Sequence, residues 1–236
     1  TRKLYFECGN VTGLHVTNSH DKSGMEAVWP TPEEPPVFAW TDETEWLKYF
    51  FIDISTNGDV PPRSPRETVT LGRRGIEGNT YTPNVFEWRR IRRLAADSNG
   101  LLYWRVRVQD RDRALTYVSA VKMLLVDGGE WTLDEPSTDQ ASGKPFFSWT
   151  HEGQGLLRFR MEFSSNETFH PSPRYTLKVP LRAFEGSSYV FTPIDLRRLE
   201  LLAARNEVTT LHWRVTGETA DRQFTAASTP AVWAVP

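Results

Sequence analysis

The residues of this chain whose types could do chemistry are five histidines, one cysteine and a few clustered carboxylates. Histidine is the side chain best suited to exchanging protons near neutral pH. His15, His20, His151, His170 and His212 are scattered, and no two fall at a metal-ligand spacing on one element. The sequence contains no His-Glu-x-x-His, no cysteine-rich pattern and no Gly-x-Ser-x-Gly. Each histidine therefore reads as a solvated surface residue. Asp110 and Asp112 form an Asp-x-Asp pair of the kind that loops use to hold Ca²⁺. Arg111 and Arg113 neutralise that pair, so it reads as a solvated loop. Cys8 stands alone, which excludes an internal disulfide and reads as an inert free thiol. The expectation is no catalytic residue, no metal and no cofactor.

Two sets of residues could instead bind. Arg89, Arg90, Arg92 and Arg93 are the densest basic run, with Arg73 and Arg74 near in sequence. Such a run either meets an anionic partner or is the wet face of a short helix, its stems lying over aromatic surface. Trp29, Trp46, Trp131 and Trp233 lie outside the repeated pattern described below. An exposed tryptophan can stack on a sugar ring or anchor a protein contact, and the same residues could close domain ends and the connector between domains. Trp46 and the four arginines are the candidate binding residues, and a protein or a surface glycan is the partner they suit.

Composition bounds the rest. With 236 residues, 39% hydrophobic and 25% charged, the chain is an ordinary globular composition for one or two domains. A formal net charge of −2 lacks the basic field that nucleic-acid binding needs. No run approaches the roughly 20 apolar residues that span a bilayer, so no membrane insertion is expected of this chain. It begins at Thr1 instead of Met, so removal of a leader or an upstream segment is expected. Asn10-Val11-Thr12 and Asn166-Glu167-Thr168 are glycosylation patterns consistent with secretion.

The chain repeats itself. Displaced by 109 positions, Phe38-Ala39-Trp40-Thr41 meets Phe147-Ser148-Trp149-Thr150. Phe50, Ile52, Ile54, Ser55 and Asn57 likewise meet Phe159, Met161, Phe163, Ser164 and Asn166, and Trp104-Arg105-Val106 meets Trp213-Arg214-Val215. Tyr81-Thr82-Pro83 aligns with Phe191-Thr192-Pro193 at an offset of 110. One copy covers residues 35–126 and the other 144–236, joined by a polar linker over 127–143 and preceded by an extension over 1–34.

The elements that must position these residues are strands. Phe159, Met161 and Phe163 alternate with Arg160, Glu162 and Ser164, and Leu102, Trp104, Val106 and Val108 alternate with Tyr103, Arg105 and Arg107. A period of two is a half-buried strand. Phe38, Trp40, Trp104, Phe147, Trp149 and Trp213 are the expected core. Trp88, Ile91 and Leu94 keep a helical spacing, as does the segment 195–202, so a short helix is predicted between the late strands of each copy. In the extension, residues 4–8 and 11–16 read as two strands around Gly9-Asn10, a hairpin or one bent strand. An isolated hairpin is marginal, so Leu4, Phe6, Leu14 and Val16 are candidates for a strand added to the sheet edge of another molecule.

A Phe-x-Trp strand after a proline, an aliphatic-aromatic middle strand and a Trp-Arg-Val strand near the end resemble the bacterial branch of fibronectin type III domains. The resemblance covers both copies and implies an all-β chain of two tandem antiparallel sandwiches, with a short helix in each and the N-terminal β extension. It places Trp40 and Trp149 as the second-strand core tryptophans. Leu102 and Leu211 stand where the family usually has a corner tyrosine, so that corner bond is expected to be absent. What it implies for function is a non-catalytic extracellular spacer, adhesion or glycan-contact module of a bacterial surface protein. A fibre or layer subunit assembling through its N-terminal strands, and an accessory region of a secreted hydrolase, are the other readings.

Overall fold

The structure is a computed structural model, and it describes residues 6–7, 11–43, 47–58, 68–110 and 116–236. Leu4, Cys8, Asn10, Trp46 and Asp112, singled out above, lie outside the described residues. The described residues are mostly strand, with two helices, and the chain divides into two compact units, Thr1–Asp127 and Gly128–Pro236.

Unit 1 begins with β1 (Phe6–Glu7), β2 (Val11–Val16), β3 (His20–Lys22) and β4 (Met25–Val28). It continues through β5 (Phe38–Asp42), β6 (Leu47–Ser55), β7 (Thr68–Ile76), β8 (Thr80–Tyr81), α1 (Val85–Ala96), β9 (Leu101–Asp110), β10 (Thr116–Val118) and β11 (Lys122–Val126). One sheet runs β2-β5-β8. The other runs β7-β6-β9, with β10 and β11 paired one after the other along the far side of β9. The alternation read from sequence puts Phe38 and Trp40 of the first sheet against Phe50 and Trp104 of the second, at ring separations of 4.9 Å for Phe38–Trp104 and 5.5 Å for Trp40–Phe50. Phe38, Trp40, Ile52, Trp104 and Val106 are all buried, which is what holds two such sheets face to face.

Unit 2 repeats this plan with β12 (Glu130–Leu133), β13 (Ser137–Thr138), β14 (Pro145–Glu152), β15 (Leu156–Ser164), β16 (Thr176–Phe184), β17 (Ser188–Val190), α2 (Pro193–Arg205), β18 (Thr210–Thr219), β19 (Thr225–Ala227) and β20 (Ala231–Ala234). Strands β12, β13 and β17 pair with β14, while β16-β15-β18 carry β19 and β20 on the far side. Phe147, Trp149, Phe163, Trp213 and Trp233 meet in one aromatic core, with Phe147–Trp213 at 4.8 Å and Phe147–Phe163 at 5.4 Å.

Three sequence expectations change. First, the two predicted strands of the extension do not pair with each other among the described residues; its hairpin is β3-β4, with His20 opposite Ala27 and Lys22 opposite Met25. β1 pairs in parallel with β10, while β2 pairs antiparallel with β5 in the other sheet. Leu14 and Val16 are buried, because β2 supplies the outer strand that β5 would otherwise lack. Second, the linker is structured. Trp131 of β12 pairs with His151 and Thr132 with Thr150, as Val11 of β2 pairs with Asp42 and Thr12 with Thr41. The connector thus supplies the strand that the extension supplies in unit 1. Third, strand register aligns Tyr81 with Tyr189 instead of Phe191, since Phe38 faces Tyr81 and Phe147 faces Tyr189.

Two irregularities recur in both units. Where β10 passes to β11 and β19 to β20, the Oγ of Ser119 accepts from Val106 N–H and that of Ser228 from Val215 N–H, each at 3.0 Å. The serine hydroxyl supplies the ladder acceptor where one partner strand ends and the next begins. The edge strands also bulge. Between Ile52↔Leu71 and Phe50↔Ile76, the single Phe51 of β6 faces four residues of β7, Gly72 to Gly75. Between Met161↔Val179 and Phe159↔Phe184, Arg160 faces Pro180, Leu181, Arg182 and Ala183 of β16. Gly72 and Gly75 take φ of +71° and +96°, which lets β7 turn this tightly over the Ile76 and Tyr49 side chains.

Candidate functional site

The face that carries most of the predicted binding residues is built on α1. Its start is fixed by a capping box: Asn84 Oδ1 accepts from the Phe86 and Glu87 N–H groups at 3.0 and 3.1 Å, and Glu87 Oε2 accepts from Asn84 N–H at 3.0 Å. The hydroxyl of Tyr81, on β8, donates to the same Glu87 oxygen at 2.8 Å. Burial, with the Glu87 carboxylate beside it, pushes the Tyr81 phenol up to about 12. Unit 2 repeats the device: Thr192 and Asp195 form the box that starts α2, and Tyr189 donates to Asp195 at 2.9 Å. A tyrosine therefore ties strand to helix in each unit, while Leu102 and Leu211 are fully buried core residues.

The inner side of α1 buries Trp88, Ile91, Leu94 and Ala95, and Trp88 Nε1 donates to Thr31 O at 2.8 Å. Arg92 belongs to this inner side. It is 1% exposed, its guanidinium lies 5.6 Å from the Trp88 ring centre, and Nη1 reaches Pro30 O at 3.5 Å. Of the two readings of the arginine run, Arg92 follows the one in which the stem lies over aromatic surface. Arg92 falls one residue after Ile91, on the arc that faces the segment leading to β5, so it packs instead of meeting a ligand.

The outer side shows Phe86, 73% exposed, with Arg89, Arg90 and Arg93 exposed beside it. Positions 86, 89, 90 and 93 follow the i, i+3, i+4, i+7 rule, so they form one stripe about 10 Å long at 1.5 Å per residue. On α2 the matching stripe carries Ile194, 71% exposed, and Leu201, 56% exposed, with Arg197 and Arg198 between them. An exposed apolar residue at the second helical position followed by two arginines is therefore common to both units.

A second charged feature lies on the outer face of the larger sheet, and the sequence reading missed it. Asp53 on β6 is buried and accepts from Arg107 Nε at 2.9 Å, Arg107 Nη2 at 3.2 Å and Thr70 Oγ1 at 2.9 Å. The matching Glu162 on β15 accepts from Arg214 Nη2 at 2.7 Å and Nε at 3.0 Å, with Lys178 Nζ at 3.0 Å. Burial opposes ionisation of Glu162, but the Arg214 and Lys178 bonds outweigh it and hold the carboxyl below its usual range. Phe169 lies over the Arg214 guanidinium at 4.2 Å. The signal was present: acids at 53 and 162 oppose Arg105 and Arg214 in strand register, 109 positions apart in both cases.

The remaining tryptophans pack within their own units. Trp29 stacks on His20 at 4.3 Å, Trp131 lies against His151 and Phe159, and Trp233 is in the unit 2 core. His20 Nε2 and Lys22 Nζ meet Asp127 at 3.1 and 2.7 Å, so His20 takes part in a packed cluster and is not a lone solvated ring. His151 Nε2 similarly meets Gly128 O at 2.6 Å. Among the described residues no group of three His, Cys, Asp or Glu is placed to hold a metal, and no helix is long and apolar enough to cross a membrane.

No family model matches the chain, and no curated protein matches it. Among solved structures, the crystal structure of a tetra-tandem repeat in the extending region of a large adhesion protein is similar at 14% identity, with a TM-score of 0.27. The match covers 97% of this chain and 49% of that one, so the chain spans about half the length of that structure.

Proposed function

We propose that the chain is a non-catalytic spacer and contact module of an extracellular bacterial surface protein, built from two fibronectin type III-like sandwiches. It contacts an acidic surface glycan through the outer stripe of α1. The family reading is supported by the split of each unit into a smaller and a larger sheet, with the Trp-Arg-Val strand paired antiparallel to both its neighbours within the larger one. The contact reading rests on one observation: Phe86 is 73% exposed, beside Val85 at 61%, at the start of a helix whose later large apolar residues, Trp88, Ile91 and Leu94, are buried. An apolar residue left out beside three exposed arginines suits a ring-bearing anion, with the ring on Phe86 and the carboxylates on Arg89, Arg90 and Arg93.

The test is binding of the full chain to immobilised polyuronate at low and high salt. Replacing Arg89, Arg90 and Arg93 together by Gln lowers affinity at least tenfold and flattens the salt dependence; Phe86→Ala lowers it less and leaves the salt slope unchanged. Equal binding by the triple variant and the parent chain would show that α1 is not the contact surface. The second reading, a fibre subunit that donates its N-terminal strand, has little to favour it, since β2 is already paired within unit 1.

A further inference from the structure

The bulge of β16 does more than end a strand. It stands beside the outer face of the larger sheet and borders an open-sided cleft of about 590 Å³ lined by Arg158, Arg160, Arg182, Glu185, Glu218 and Arg222, with Leu181 at the rim. That volume is in the range of small-molecule sites. Alternation explains the lining. Phe159 and Met161 point into the core, so Arg158 and Arg160 point out of it, and Glu218 lies opposite Arg158 in register.

The charges are unevenly matched. Glu218 is taken by Arg160 at 3.5 Å and by Arg222 at 3.6 Å. Arg158 and Arg182 have no ion-pair partner among the described residues, though both line the same cavity. Unit 1 carries the same bulge but not this lining, since Tyr49 and Phe51 stand where unit 2 has Arg158 and Arg160. The bulge is common to both units, whereas the arginine lining belongs to unit 2.

We propose that this cavity binds a single acidic sugar residue, a hydroxylated ring bearing one carboxylate. Arg158 and Arg182 take the carboxylate, while Glu185 and Glu218 accept hydrogen bonds from the hydroxyl groups. Leu181, 71% exposed at the rim, covers the C–H face of the ring. Four guanidinium groups against two carboxylates leave a surplus of two positive charges. That surplus suits a monoanion with hydroxyl groups better than a polyphosphate, which the two glutamates would repel. Only the ligand class leans on the glycan-contact reading; the site itself stands on unit 2 alone.

The experiment is calorimetric titration of the full chain with glucuronate, glucose and sulfate. Glucuronate binds with one site per chain, and glucose and sulfate bind at least tenfold more weakly. Arg158→Gln or Arg182→Gln lowers glucuronate affinity at least tenfold, and Arg158→Lys recovers part of it. The α1 triple variant binds glucuronate as the parent does, so failure of the α1 surface and failure of this cavity are read separately. Equal binding of glucose, equal binding of sulfate, or glucuronate affinity unchanged by both glutamine substitutions would overturn the proposal. Neither arginine has an ion-pair partner among the described residues, so these variants are expected to keep the parent melting profile, which the same calorimeter checks.

Discussion

Replacing Glu162 by Gln tests whether the buried charge on the outer sheet face stabilises unit 2. Glutamine keeps the size and an acceptor oxygen, so packing is retained and the negative charge is lost. The Glu162 side chain is 8% exposed, Arg214 29% and Lys178 55%. Breaking a fully buried pair costs about 3 to 5 kcal/mol. Lys178 rehydrates almost freely and Arg214 in part, so their contacts count closer to the ~1 kcal/mol of exposed pairs. We therefore expect a net loss of about 2 kcal/mol, roughly a 30-fold shift in the opening equilibrium. Hydrogen exchange of the full chain at pH 7 reads this directly: amides of β15 and β18 lose about 30-fold protection, while those of β6 and β9 serve as the internal reference. The pH arm follows from the lowered carboxyl. Its contribution is present above the ordinary value of 4.5 and is lost as pH falls through the lower folded-state value. The parent should lose this contribution on acidification below that value, and Glu162→Gln, having nothing left to protonate, should lose less stability over the same interval. Protection changed by less than threefold at pH 7, or equal acid sensitivity in parent and variant, would refute the reasoning.

Three further outcomes are expected. Ser228→Ala leaves the Val215 N–H without its acceptor in a buried ladder, costing about 1 to 3 kcal/mol in denaturant melts; Ser119→Ala does the same in unit 1, while Ser142→Ala, at an exposed turn, changes little. In ultraviolet titration Tyr81 and Tyr189 ionise near 12, and Tyr189→Phe removes one of these two late phenols. Because these phenols are raised, their contribution is present below pH 10 and fades as pH rises through 12; a variant whose alkaline melting curve matches the parent's counts against the strand-to-helix tie. Gly129→Ala forces a side chain at φ +81° into the Glu152 carbonyl and His151 and prevents unit 2 from closing, whereas Gly143→Ala, at φ +69° in open space, costs only the left-handed strain of about 1 to 2 kcal/mol in thermal melts.

The strands and helices were legible because their periods are strong. Leu211, Trp213 and Val215 of β18 are buried in strict alternation, and Trp88, Ile91 and Leu94 of α1 keep helical spacing. The alignment of Tyr81 slipped because two Thr-Pro pairs look alike, although Pro83 precedes the cap while Pro193 follows it as the first helical residue. Composition also misled over the linker. Residues 130–133 are polar enough to read as a connector, yet an outer strand open to water needs only Trp131 and Leu133 facing inward. For the arginine run the sequence offered stems over aromatic surface as one reading; that Arg92 alone is buried follows from its place one residue after Ile91, where its guanidinium packs over Trp88. The arginine-lined cavity could not be seen at all, since it needs the register slip that brings residues 180–183 opposite Arg160.

The doubled bulges also govern how copies of such a unit could be crowded together. An outermost strand with evenly spaced free amides and carbonyls invites a neighbour to zip onto it. In β16 the spacing is broken by four residues against one, Pro180 removes an amide, and the exposed Lys178 adds a charge. β7 breaks its spacing at the same place with two glycines in left-handed conformation. A second copy of the unit held close by would therefore find no evenly spaced backbone along this edge on which to seed an intermolecular sheet.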